Sequence, residues 1–135
     1  MTVREVEQLE WEMAEGNFSR LLSFSMLVQL MKDNNPVLYG KYLKKLKLTA
    51  NERNILTRLI IGTILTYKYN MEIPRDAHIY MSGIICKVFP DEQPHIYYSP
   101  ASKGKCPGGK LYNAYHNQRR KYKDVGGDSG GVLRN

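Results

Sequence analysis

The stretch from Thr49 to Tyr67 leaves the chain little choice of conformation. Thr49-Ala50-Asn51-Glu52 is a capping box. The Thr hydroxyl accepts the amide three residues on, and the Glu carboxylate reaches back to the Thr amide. Ile55, Leu56, Leu59, Ile60, Thr63, Ile64 and Tyr67 then recur at i, i+1, i+4 and i+5, the spacing of a helix that turns one side to a core. Other elements must cover that stripe, and most of the remaining patterns are also helical.

Thr2-Val3-Arg4-Glu5 repeats the capping box and opens a helix that buries Val6, Leu9 and Met13, with glutamates outward. Gly16-Asn17 ends it, since both residues tolerate a left-handed conformation. Residues 18–31 read as a second helix, apolar nearly all round, which must be buried against this chain or another. Asn35-Pro36 is a cap followed by a first helical position. It starts a third helix to about Leu46 that buries Leu38, Tyr39, Tyr42, Leu43 and Leu46 and leaves Lys41, Lys44, Lys45 and Lys47 outward. A fifth helix from about Arg75 to Val88 follows Ile73-Pro74, with Ile79, Ile84, Ile85, Val88 and Phe89 inward and Asp76 as a cap. His95-Ile96-Tyr97-Tyr98 is rich in β-formers and reads as one extended run without a partner strand. Residues 99–109 are a basic loop, residues 110–123 a last helix, and residues 125–135 a Gly-rich tail expected to be disordered. The fold class expected is all-α, a compact bundle of about five to six helices with at most one short extended segment near residues 95–98.

Charge divides the chain. Residues 1–35 hold Arg4, Arg20 and Lys32 against six acids, a net −3; the other residues hold 17 Lys/Arg against 7 acids, a net +10 within the total of +7. This marks residues 1–35 as an acidic helical hairpin for interaction or dimerisation, residues 36–124 as a basic helical domain, and residues 125–135 as the tail. From Gln93 to Lys123 there is no acid, while Lys103, Lys105, Lys110, Arg119, Arg120, Lys121 and Lys123 accumulate. A polyanion partner fits that asymmetry.

Several chemistries are disfavoured. Cys86 and Cys106 lack disulfide-framework or zinc spacing, and the only histidines are His78, His95 and His116, so neither metal nor cofactor is expected. The longest apolar stretch, residues 59–65, is too short for a bilayer and is interrupted by Gly62 and Thr63, so no membrane partner is expected. No export signal is legible at the N-terminus, which with free thiols points to cytoplasm or nucleus. Gly127-Asp128-Ser129-Gly130-Gly131 spells a serine-protease nucleophile segment, but the helical context and the few residues after it argue for coincidence. Gly104-Lys105-Cys106-Pro107-Gly108-Gly109-Lys110 lacks Walker spacing and a preceding strand. The expectation is no enzyme and no small-molecule substrate.

In the last helix Asn113, His116, Asn117 and Arg120 fall at i, i+3, i+4 and i+7 and so share a face, flanked by Lys110, Arg119, Lys121 and Lys123. Asn pairs with adenine edges and Arg with guanine, while Lys takes phosphates. Such a row matches a helix that reads a major groove, with Lys103, Lys105 and Lys110 on the backbone; an ordinary solvent-facing helix is the plainer alternative. Phe18, Leu21, Leu22, Met26 and Leu30 are the expected partner or homodimer surface.

Lys87-Val88-Phe89-Pro90-Asp91-Glu92, then Tyr97-Tyr98, then the run from Gly109 to Lys121 resemble a C-terminal helical module of arthropod chromatin-associated and transposon-derived proteins. The arrangement is more distantly similar to BEN domains, all-helical modules that bind DNA and mediate protein contacts in transcriptional repression. The resemblance covers about residues 50–123. It implies nuclear residence and a basic last helix near nucleic acid, DNA before RNA. The alternative is a protein-interaction module of a chromatin or repression complex whose basic surface is secondary.

Overall fold

A computed structural model describes residues 1–124. Among them are seven helices: α1 (Val3–Ala14), α2 (Phe24–Asn34), α3 (Pro36–Lys44), α4 (Ala50–Tyr67), α5 (Arg75–Val88), α6 (Pro94–Tyr97) and α7 (Lys110–Asp124). The protein is all-α, as its periodicities require. Residues 125–135, with the expected tail and the Gly127–Gly131 segment, lie outside the described residues.

Both capping boxes form. Thr2 and Thr49 accept the amides of Glu5 and Glu52 at 3.1 and 3.2 Å, and each carboxylate accepts the Thr amide at 2.8 Å. The amide bonds from Thr2 and Thr49 hold both carboxyls below their usual range, with Lys41 adding to the effect at Glu52. Asn35 caps α3 through the Leu38 amide at 3.0 Å. Asp76 does not cap α5, whose N-cap is Pro74; it lies beside Arg75 instead.

Local chemistry overrules the expected conformation at two places. Residues 18–22 are not helical: Asn17 Oδ1 accepts the Ser19 amide at 3.2 Å, and Ser23 Oγ accepts the Met26 amide at 3.2 Å, so α2 starts only at Phe24. Short polar side chains that bond nearby amides compete with helix in this way. The run expected to be extended at 95–98 instead begins with a helical turn, α6, for which Pro94 supplies the first position.

One core runs through the fold. Val6, Leu9 and Met13 of α1 belong to the same buried cluster as Leu27, Ile60, Ile85 and Leu111, so the boundary expected after residue 35 does not divide it. Helix α2 packs chiefly on α3 and α5, and α7 lies along α4. Leu43, Leu46 and Ile79, expected inward, are 58, 49 and 49% exposed. For Leu46 the cause is the end of α3: Lys45 takes a left-handed conformation (φ 57°), and the Leu46 amide bonds Lys41 O at 2.9 Å, turning the chain outward.

The expected partner surface is corrected by the same core. Leu21 and Leu22 are buried in it, Phe18 packs on Tyr80 with ring centroids 5.5 Å apart, and Leu30 is half-buried against the cluster; only Met26 is exposed. Phe18, Leu21 and Leu22 complete this chain's own interior because the irregular turn at 18–22 folds them inward, and Leu30 joins them from α2.

One polar clamp and one close backbone contact fix the C-terminal half. Buried Glu92 accepts two bonds from Arg53, 2.8 and 3.2 Å, and a third from the Tyr97 hydroxyl, tying α4 to α6. Burial and the carboxylate push the Tyr97 phenol well up, and the same carboxylate raises Arg53. A buried carboxylate is tolerable because its partners are complete. At the entry to α7, Gly109 has φ 106°, and a Cβ there would stand 2.5 Å from Tyr97 O. Only glycine fits so close an approach.

Candidate nucleic-acid interface

Helix α7 is amphipathic, and its inner side fixes what its outer side presents. Leu111, Ala114 and Tyr115 are buried. The Tyr115 hydroxyl donates to Met71 O at 2.8 Å and accepts from the Ile73 amide at 3.1 Å and from Arg119 Nη1 at 2.9 Å. Its bonding capacity is filled. Gln118 donates to Arg58 O of α4 at 3.2 Å. With these contacts inward, Asn113, His116, Asn117 and Arg120 are all exposed and share the outer face, as their spacing requires. Lys121 and Lys123 are exposed beside them.

The other cations divide into two groups. Lys103 and Lys105 are exposed at the end of a short hairpin-like loop closed by bridges between Ser99 and Gly108 and between Ser102 and Lys105. Lys110 and Arg119 are engaged within the chain. Lys110 Nζ donates to Asn54 Oδ1 at 2.9 Å, and the Arg119 guanidinium lies over the Tyr115 ring, 5.2 Å from its centroid. Sequence spacing places both on the shoulders of α7 but cannot tell that α4 and Tyr115 claim them.

His116 and Arg119 form a ridge between two clefts. On one side Tyr69, Asn70, Arg120 and Lys123 join them around a groove of about 510 Å³. Tyr69 and Asn70 follow α4 and were missed in the sequence, where nothing local links them to α7. On the other side lies a cleft of about 750 Å³ whose lining includes His78, Tyr98, Tyr112 and Tyr115. His78 is buried, stacked on Tyr98 at 5.4 Å and flanked by Tyr112 and Tyr115 at 5.8 and 5.4 Å. Neither of its ring nitrogens has a hydrogen-bond partner among the described residues. Burial, with the nearby His116 adding to it, pushes its pKa down to about 4, so the ring is neutral at pH 7. The His116 pKa is also lowered, by partial burial first and then by Arg119 and Arg120.

Among the described residues no group of three or more His, Cys, Asp or Glu is placed to hold a metal ion, and no helix is long and apolar enough to cross a membrane. Both cysteines are free thiols; burial pushes Cys86 up. Comparison of the chain with protein-family models, curated proteins and solved structures finds no match.

Proposed function

We propose that the protein binds nucleic acid, duplex DNA above all, through the outer face of α7, and that its role is binding without turnover. The observation that carries this reading is uncompensated charge. Arg120, Lys121 and Lys123 on α7 and Lys103 and Lys105 on the loop form no ion pair among the described residues. Cations without carboxylate partners release counterions when they meet phosphates, which drives association. Asn113, Asn117 and Arg120 supply the amide and guanidinium groups that read base edges, and His116 adds a donor or acceptor. Lys110 and Arg119 act one step back, holding the start and middle of the helix in place. The resemblance to BEN-like chromatin modules accords with this reading and with nuclear residence.

The test is fluorescence anisotropy of the full chain with random duplex DNA and duplex RNA, at low and near-physiological salt. Salt-dependent binding to DNA, weaker to RNA, is the expected result. Arg120→Ala then reduces discrimination among sequences, whereas Lys123→Ala weakens binding to all of them. No binding at low salt overturns the reading.

A further inference from the structure

Away from α7, the molecule has an apolar groove with a cationic rim. Phe24 of α2, Tyr42 and Leu43 of α3, Leu46 of the following turn, and Phe89 and Pro90 after α5 line a volume of about 510 Å³. Leu43 at the end of α3 and Leu46 beyond the left-handed turn at Lys45 form its lip. Lys45, Lys47 and Lys87 stand at the rim, and none forms an ion pair among the described residues. Two acids also line the groove, but Glu92 is buried and bound to Arg53, which leaves Asp91 against three lysines. Such a surface suits an acidic helix that presents an aromatic side chain.

The chain carries such a helix. Val3, Glu7, Trp11 and Glu15 succeed one another at intervals of four along the outer side of α1 and its C-cap, and all are exposed. Trp11 is 60% exposed, with no core contact to explain its presence there. Glu10 and Glu12 are committed to Lys68 and Arg20, but Glu7 and Glu15 form no ion pair among the described residues. An aromatic body is thus flanked, one turn to either side, by free carboxylates, and the groove is an apolar slot flanked by free ammonium groups.

We propose that α1 of one copy docks through Trp11 into the lysine-rimmed groove of a second copy. The exposed Trp11 does not occupy the groove of its own chain, and the charge complementarity favours a second copy as occupant. The contact is heterologous, each copy offering one helix and one groove. It uses neither the outer face of α7 nor the loop lysines, so it stands whether or not the protein binds nucleic acid.

Trp11 is the only tryptophan, so its emission reports this contact directly. Light scattering and tryptophan emission are measured together on the full chain over rising concentration, up to ~1 mM, the range of weak association. The expected result is a mass above the monomer, with a blue shift and reduced acrylamide quenching that follow it. Added salt reverses both in part, since the rim charges are exposed. Trp11→Ala and Leu46→Glu each weaken self-association at least tenfold, with far-ultraviolet circular dichroism unchanged because both sites are on the surface. Mixed together, the two variants form a heterodimer, since one keeps its groove and the other its Trp11. A monomer with constant Trp11 emission overturns the proposal. So does association that survives either substitution, or failure of the mixed variants to pair while the unaltered chain associates.

Discussion

Helices α1 and α7 are built alike and differ in the fate of their charge. Each buries a stripe, Val6, Leu9 and Met13 in one and Leu111, Ala114 and Tyr115 in the other, and each turns charged side chains outward. In α1 much of the charge is used within the fold: Glu5 closes the capping box, Glu10 binds Lys68 at 2.9 Å and Glu12 binds Arg20 at 3.4 Å. In α7 Lys110 is held by Asn54 and Arg119 by Tyr115, while Arg120, Lys121 and Lys123 form no ion pair among the described residues. Exposed ion pairs contribute about 1 kcal/mol at most to stability, so the contrast concerns availability more than folding energy. Charge that the fold has matched holds helices together, and charge left unmatched is free for a partner.

The comparison breaks most sharply at two glycines. Gly16, after α1, has φ 82° but open space around a Cβ, whereas Gly109, before α7, meets the Tyr97 carbonyl at 2.5 Å. Gly109→Ala is expected to cost roughly 3 to 4 kcal/mol, and Gly16→Ala about 1 kcal/mol. Urea unfolding of the two variants measures the difference, and equal costs would mean that α7 does not depend on its close contact with Tyr97.

Acid tests the packing of α7 on α5. The folded pKa of His78, about 4, lies below its ordinary 6.5. The unfolded chain therefore binds more protons between those values, and stability falls as pH drops through that window. The loss is on the order of 3 kcal/mol, being complete only below the folded pKa. His78→Phe should flatten this part of the pH profile, leaving the acid sensitivity of the carboxylates that cap α1 and α4. Next in size is Tyr115→Phe, which strands the Ile73 amide and frees Arg119, at about 2 kcal/mol. It also releases a cation toward the groove, so salt-dependent DNA affinity should hold steady or rise while stability falls.

Smaller effects separate the two outer faces. Removing Lys121 and Lys123 should weaken DNA binding several-fold and flatten the log–log salt dependence by about 0.9 per charge, with Glu7→Gln on α1 changing it far less. The smallest effect concerns His116. Partial burial, then Arg119 and Arg120, lower its pKa and so favour the neutral ring in the free protein, whereas a bound phosphate favours the protonated one. Binding should therefore tighten as pH falls, and His116→Gln should remove that trend without altering the salt slope.

Much of the fold was legible because its signals are local. The capping boxes at Thr2 and Thr49, the Asn35 cap and the stripes of α1 and α4 each depend on residues within about one turn of one another. The reading failed where short side chains captured nearby amides, at Asn17 and Ser23, and where Pro94 began a helical turn in a β-rich run. It failed again at Leu43, Leu46 and Ile79, since periodicity supplies an apolar face but not which part of it neighbours will cover. For the candidate interface, the shared face of Asn113, His116, Asn117 and Arg120 followed from helical spacing alone. The engagement of Lys110 by Asn54 and of Arg119 by Tyr115 did not, and neither did the groove lined by Tyr69 and Asn70.

The all-α class, the acidic first helix and the cations toward the C-terminal half follow from neighbouring residues alone, because helical period, caps and charge are local. Packing of the whole chain sets which charges stay unmatched, that Leu21 and Leu22 belong to the interior, and that Trp11 and a lysine-rimmed groove stand open. Those outcomes depend on pairs such as Glu10 with Lys68 and Lys110 with Asn54, which are brought together by core packing across more than fifty residues. No local pattern encodes such a meeting; burial of the shared apolar core sets it.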